Sequence, residues 1–316
     1  MTPWGAGHAA DLAAGDLSVR VLTRGATLRS VRLRGVDHDL TVGADDPALY
    51  APDGPLRFHG AMVGPVANRL RGAQAEVAGR LCRFEADEGA HLLHSGRAGM
   101  QYRIWDVLGR GPDTLLLGLG LPDGEGGFPG NRRVTARWSV RAPATLRLEI
   151  RAATDAPTLW NPASHAYWTL DGGPTWEGHV LRLAADRVLP TDAENLPTGE
   201  VRPVEGTPFD LRQGRAIRPG APRLDHNFCL GDGPGPLREV AWLTGRSGVS
   251  LVLATTAPGL QVYDGGHAAR PGAALFEALA LEPQMWPDAP AHPHFPAILL
   301  RPGEGWSQIT EWRFAR

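Results

Sequence analysis

Apolar and polar residues alternate in short runs along most of the chain. Segments 17–35 (LSVRVLTRGATLRSVRLRG), 132–140 (RRVTARWSV), 144–154 (ATLRLEIRAAT), 249–256 (VSLVLATT) and 259–266 (GLQVYDGG) keep their apolar residues at a period of two. Side chains alternate between the faces of a strand, so this pattern predicts strands with one face buried and one polar. Between such runs lie PDGEGGFPGN (122–131), LDGGPTWEG (170–178) and PTDAENLPTGE (190–200), whose Gly, Pro, Asp and Asn content marks turns. No long segment carries a capped helical stripe. Many short strands at close intervals predict an all-β fold, a large antiparallel sandwich. With no internal repeat and no linker, residues 1–316 read as a single domain.

One strand departs from the pattern. LFEALALEPQMWPDAP (275–290) is an apolar run bounded by a Pro-Asp turn, yet it contains Glu282. Alternation places Phe276, Ala278, Ala280, Glu282, Gln284 and Trp286 on one face. Leu275, Leu279, Leu281 and Met285 then form the core face. Pro283 biases Glu282 toward extended backbone and removes a ladder donor, which favours a sheet edge or a bulge. A carboxylate beside two alanines, an amide and an indole suits a small polar ligand. Read alone, the stretch is more simply explained by a solvated rim glutamate.

Composition narrows the possible functions. The net charge of −2 removes the basic surface that nucleic acid or an anionic membrane would require. Residues 1–16 lack a basic leader region, and no run of 18 apolar residues occurs, so a cytoplasmic protein is expected. Cys82 and Cys229, far apart in sequence, read as small buried hydrophobes. All 32 basic residues are arginines; the absence of lysine excludes Schiff-base chemistry and a P-loop. No CxxC, HExxH or GxSxG motif is present. His292 and His294, in a Pro-rich HPH loop, read as exposed rather than as partners of His91 and His94 in a zinc site. No metal is expected.

Four further polar islands stand out: NPASHAYWTL (161–170), GPVANRLRGA (64–73), HLLHSGRAG (91–99) and RLDHNFCL (223–230). Period two puts His165 and Tyr167 on one strand face, where they can exchange protons near neutral pH. Taken singly, each island has a structural explanation: a satisfied histidine, a surface ion pair, a loop residue, a turn cap. Together with DGEGGFPGN, LPTGE, GTPFDLR, GLQVYDG and LEPQMWPDAP…FPAILLRPGE, they resemble the ordered signature blocks of the aldose 1-epimerases, the galactose mutarotase family. The blocks run in family order across residues 17–313.

The resemblance implies a mutarotase-type antiparallel β-sandwich, a sugar bound in an open cleft, and no metal or organic cofactor. It implies Glu282 as catalytic base and His165 as catalytic acid, facing each other across a gap that holds a pyranose ring. Asn68, Arg69, His94, Tyr167, Asp225 and Gln261 match positions that hold the sugar. Trp105, Trp168 or Trp286 would offer the ring an apolar face. The chain departs from the family pattern at Gly64-Pro65-Val66, at Ser95 after His94 and at Ser164 before His165, which bears on substrate identity more than on reaction type. The expected partner is a small sugar, bound by a monomer or homodimer. The competing readings are a hexose-6-phosphate 1-epimerase, a glycoside hydrolase built on Glu282 and Asp225, and a non-catalytic sugar-binding protein.

Overall fold

The computed structural model describes residues 9–316; the first half of stretch 1–16 lies outside the described residues. The alternating segments form strands as their pattern requires, at Leu17–Leu22, Leu28–Leu33, Arg132–Arg141, Thr145–Thr154, Ser250–Thr255 and Gly259–Tyr263. Helical structure among the described residues is confined to 3₁₀ turns of three or four residues. No helix of the described residues is long and apolar enough to cross a membrane.

Two antiparallel sheets dominate. The larger has nine strands, running in spatial order from Arg215–Ala216 through Val180–Leu183, Arg238–Thr244, Ser250–Thr255, Trp306–Ala315, Thr145–Thr154, Arg132–Arg141 and Thr114–Leu121 to Asp106–Arg110. The smaller has six, in the order Tyr167–Trp168, Leu279–Gln284, Gly259–Tyr263, Asp225–Cys229, Arg187–Val188 and Arg202–Pro203. The main core lies between them. Trp168, Phe228, Leu260, Val262, Leu279 and Leu281 of the smaller sheet join Trp138, Leu148, Leu253 and Trp312 of the larger in one buried cluster. The Trp168 ring lies 5.8 Å from that of Trp312 and 5.5 Å from that of Phe314. Burial of each such side chain contributes roughly 1.5–3 kcal/mol, so the inward face of the smaller sheet is strongly specified. Its register is thereby fixed, because a slip of one residue would drive Glu282 into the core.

The stretch around Glu282 forms a shorter strand than its apolar run predicts. The strand spans Leu279–Gln284. Phe276 adopts a left-handed backbone, φ 62°, which breaks the alternation, and Leu275 is half exposed rather than in the core. Trp286 lies beyond the strand in a second apolar cluster, its Nε1 donating to the Pro258 carbonyl. Pro283 sits where the neighbouring strand, Tyr167–Trp168, has already ended, so one side of the Glu282–Pro283 segment lacks that partner, as its missing donor requires. Cys82 and Cys229 are free and buried.

Candidate active site

With Trp168, Leu279, Leu281, Leu260 and Val262 committed to the core, alternation turns Tyr167, Ala280, Glu282, Tyr263, Gln261 and Asp225 to the other face. The register brings them into rows. Tyr167 is paired with Ala280, Ala280 with Tyr263 and Tyr263 with Asp225. In the next row Glu282 is paired with Gln261 and Gln261 with Asn227. Continued by two residues past Tyr167, the antiparallel register sets His165 opposite Glu282. Ala280 is fully buried, packed with Val42, Tyr167 and Ala278. Beside it, over Glu282, Gln261 and Asp225, opens a cleft of about 490 Å³, within the size range of small-molecule sites.

All eight candidate residues, Glu282, His165, Asn68, Arg69, His94, Tyr167, Asp225 and Gln261, line this cleft. One geometric expectation fails. Glu282 and His165 do not face each other across a ring-sized gap; they are neighbours, with His165 Nε2 3.6 Å from Glu282 Oε1. The cause is the pairing of Tyr167 with Ala280, from which His165 and Glu282 each lie two residues away, on neighbouring segments. Both side chains are buried.

Burial dominates their ionisation. Desolvation, assisted by the negative charge of Asp225 and opposed by Arg69, raises the Glu282 pKa well above the ordinary carboxylate range. Desolvation lowers His165 to about 4. Asp225 is also raised, chiefly by burial, against the pull of Arg69 and a hydrogen bond from Gln261 Nε2 to Asp225 Oδ1 at 2.8 Å. Tyr167 is held neutral by burial and stacks on His165 at 5.0 Å and on His59 at 4.0 Å.

The remaining wall comes from two loops that clasp each other. The backbone N–H of His94 donates to the Asn68 carbonyl, and the Asn68 N–H donates to His94 Nδ1 at 3.1 Å. Nδ1 therefore serves as acceptor, which places the proton of the neutral ring on Nε2. Burial keeps that ring neutral, its pKa well below the usual value. Asn68, His94 and Ser95 all have positive φ, at 61°, 48° and 65°. Such backbone is disfavoured outside glycine and is concentrated here at the cleft wall.

Several lining residues escaped sequence reasoning. Glu88 grips Arg69 in a two-point ion pair, with Arg69 Nη2 to Glu88 Oε1 at 2.9 Å, and so fixes the guanidinium plane at the cleft. Its place in a polar loop three residues before His91 gave no signal. Phe58 and His59 lie a few residues before the GPVANRLRGA block, outside every segment that stood out in the sequence. None of the three expected indoles lines the cleft. Trp105 and Trp168 are core residues and Trp286 belongs to the second cluster, so Phe58, Tyr167 and Tyr263 supply the aromatic surface instead. Among the other histidines, His292 and His294 bond the Pro197 and Gly199 carbonyls, and His91 bonds the Gly72 N–H. Among the described residues no group of three or more His, Cys, Asp or Glu is arranged to hold a metal ion.

Comparison with known proteins finds relatives along nearly the whole chain. The aldose 1-epimerase family profile matches residues 9–313. The chain is 32% identical over 320 residues to an aldose 1-epimerase of Escherichia coli K12, covering 94% of this chain and 91% of that one. It is 32% identical over 318 residues to a galactose mutarotase of Homo sapiens, covering 95% and 91%. Among solved structures, an aldose epimerase homologue from C. elegans superposes with a TM-score of 0.90 at 27% identity, covering 98% of both chains. A galactose 1-epimerase from Lactobacillus acidophilus gives 0.82 at 27% identity, covering 96% of this chain and 92% of that one.

Proposed function

The chain belongs to the aldose 1-epimerase family, and on that premise we propose that it interconverts the α and β anomers of a free aldose, with Glu282 as base and His165 as acid. The observation that carries this reading is the 3.6 Å approach of His165 Nε2 to Glu282 Oε1 at the base of a sugar-sized cleft. The two oxygens that exchange protons in mutarotation, O1 and the ring oxygen O5, are bonded to the same carbon. A neighbouring acid and base can reach both at once; a pair separated by the whole ring could not.

In the forward direction Glu282 removes the O1 proton while protonated His165 gives its proton to O5. The C1–O5 bond breaks, its electron pair stays on O5, and C1–O1 becomes the aldehyde carbonyl. Rotation about C1–C2 then presents the other carbonyl face. Ring closure reverses the transfers: His165 takes the O5 proton and Glu282 returns one to O1. The pair thus alternates between an ionised state, carboxylate with imidazolium, and a neutral state, carboxylic acid with imidazole. Both states hold the same number of protons, so the cycle needs none from water. Burial favours the neutral state, as the opposed pKa shifts indicate. Sugar hydroxyls and Arg69 stabilise the ionised one when substrate fills the cleft.

Charge balance favours a neutral sugar over a sugar phosphate. Arg57, Arg69 and Arg223 line the cleft together with Asp53, Glu88 and Asp225, leaving no surplus of cations for a phosphate. Arg69 is already paired with Glu88, and Arg223 lies 3.8 Å from Asp225. We take the chain to act as one cytoplasmic domain, as a monomer or homodimer. The test is polarimetry on freshly dissolved anomers of several aldoses and one hexose 6-phosphate, with aryl glycosides as a parallel substrate. Acceleration confined to free aldoses supports the proposal; cleavage of aryl glycosides without anomer exchange would replace it with a hydrolase.

A further inference from the structure

A second, smaller cavity lies beside the main cleft and shares Asn68, Asn195, Asp225 and Gln261 with its wall. Its volume is about 10 Å³, close to the roughly 10–15 Å³ that accommodates a single water. Asn227 also lines this chamber. It is 2% exposed, and neither its amide nitrogen nor its amide oxygen has a hydrogen-bond partner among the described residues. Gln261, at the paired cross-strand position, is 4% exposed and has Oε1 unpartnered as well. Three unpaired polar atoms on two facing buried amides are costly unless something polar lies between them. The backbone is shaped to admit the Asn227 amide: a Cβ at Gly259 would approach Asn227 Oδ1 to 2.4 Å.

We propose that this chamber is a binding site for one neutral hydroxyl oxygen, which accepts from Asn227 Nδ2 and donates to Gln261 Oε1. Occupancy at Oε1 holds the Gln261 amide in the orientation that lets Nε2 donate to Asp225 Oδ1. Asn227 is therefore a positioning residue for the Asp225 wall of the cleft. A solvent water and a hydroxyl of the bound sugar offer the same chemistry. The water alternative stands without the epimerase reading; the sugar alternative and the kinetic effect rest on it.

Crystal structures of the free protein and of crystals soaked in galactose, at a resolution that shows ordered water, test the site directly. An oxygen within hydrogen-bond distance of both Asn227 Nδ2 and Gln261 Oε1 is expected in each. Water in the free crystal and a sugar oxygen after soaking identifies a substrate subsite; the same water in both identifies a structural one. A chamber without density in the free protein, or a direct bond between the Asn227 and Gln261 amides, overturns the proposal whatever the enzyme's activity. Kinetics supply a second reading. Asn227→Leu fills the chamber with apolar volume and should raise KM for the aldose about tenfold with a smaller change in kcat, whereas Asn227→Ser keeps room for the oxygen and should stay within about threefold of wild type. A folded Asn227→Leu protein with wild-type KM would also overturn it.

Discussion

Replacing Glu282 with glutamine removes the proposed base and little else. The amide matches the carboxylate in size, so the cleft and its apolar underside are preserved, but it cannot take a proton at neutral pH. General base catalysis contributes about 10²–10⁴ in rate, so anomer exchange should fall at least a hundredfold, equivalent to about 2.7 kcal/mol or more in the barrier. Stability should move the other way. Folding raises the Glu282 pKa above its ordinary 4.5 because the charged form is desolvated. As pH climbs past 4.5 the unfolded chain releases this proton while the folded chain keeps it, so wild-type stability declines through that window. Every tenfold displacement of the ionisation equilibrium is worth about 1.4 kcal/mol. Glutamine does not titrate, so the thermal midpoint of Glu282→Gln should gain on wild type between pH 5 and pH 8. Polarimetry on a fresh α anomer, paired with thermal unfolding at both pH values, reads both effects. A folded variant within threefold of the wild-type rate would refute the assignment of the base; a gap in midpoint that is unchanged or reversed would refute the burial argument.

Three further outcomes follow from the same geometry. His165→Asn should lower kcat by orders of magnitude with a smaller change in KM, since its proton transfer is made mainly in the transition state; steady-state kinetics that show only a raised KM would demote it to a binding residue. Glu88→Gln loosens the guanidinium of Arg69 without removing it, so KM should rise by roughly three- to thirtyfold with kcat less affected; because Glu88 is partly exposed, denaturant titration should show a stability change under about 1 kcal/mol. His59 is buried, and its pKa is lowered to about 3 by burial, assisted by His165 and Arg270. Between pH 6.5 and about 3 the unfolded chain binds a proton that folded His59 refuses, so wild type loses stability on acidification. His59→Phe should gain on wild type by up to about 1.4 kcal/mol for each pH unit lowered through this window, measured by urea unfolding; parallel pH curves would show that His59 is not held neutral.

The period-two pattern carried the strands because each is half buried, and burial on one face is what writes alternation into a sequence. It failed at residues 275–286, where the left-handed Phe276 ends the alternation and Trp286 serves a second apolar cluster. The eight candidate residues came from their family blocks, and all line one cleft. Their mutual distances were not legible. That His165 and Glu282 touch rather than oppose each other depends on the pairing of Tyr167 with Ala280, a contact between segments more than a hundred residues apart that no local pattern encodes. The tryptophan expectation failed for a related reason. An indole on a strand looks equally suited to core or cleft until the facing sheet is known, and here Trp312 and Phe314 claim Trp168 for the core. Glu88 was invisible because an ion pair with Arg69 leaves no trace in spacing.

On the proposed mechanism, one neighbouring acid–base pair opens and recloses the sugar ring. Magnetisation-transfer NMR between the anomeric protons of an equilibrated aldose measures that exchange directly, without coupling enzymes or product release. Wild type should transfer saturation between the α and β signals far faster than buffer does, and Glu282→Gln and His165→Asn, each shown to be folded, should return the exchange toward the buffer rate. Exchange at the buffer rate with wild-type protein across a panel of free aldoses, or undiminished exchange in both variants, would contradict the account.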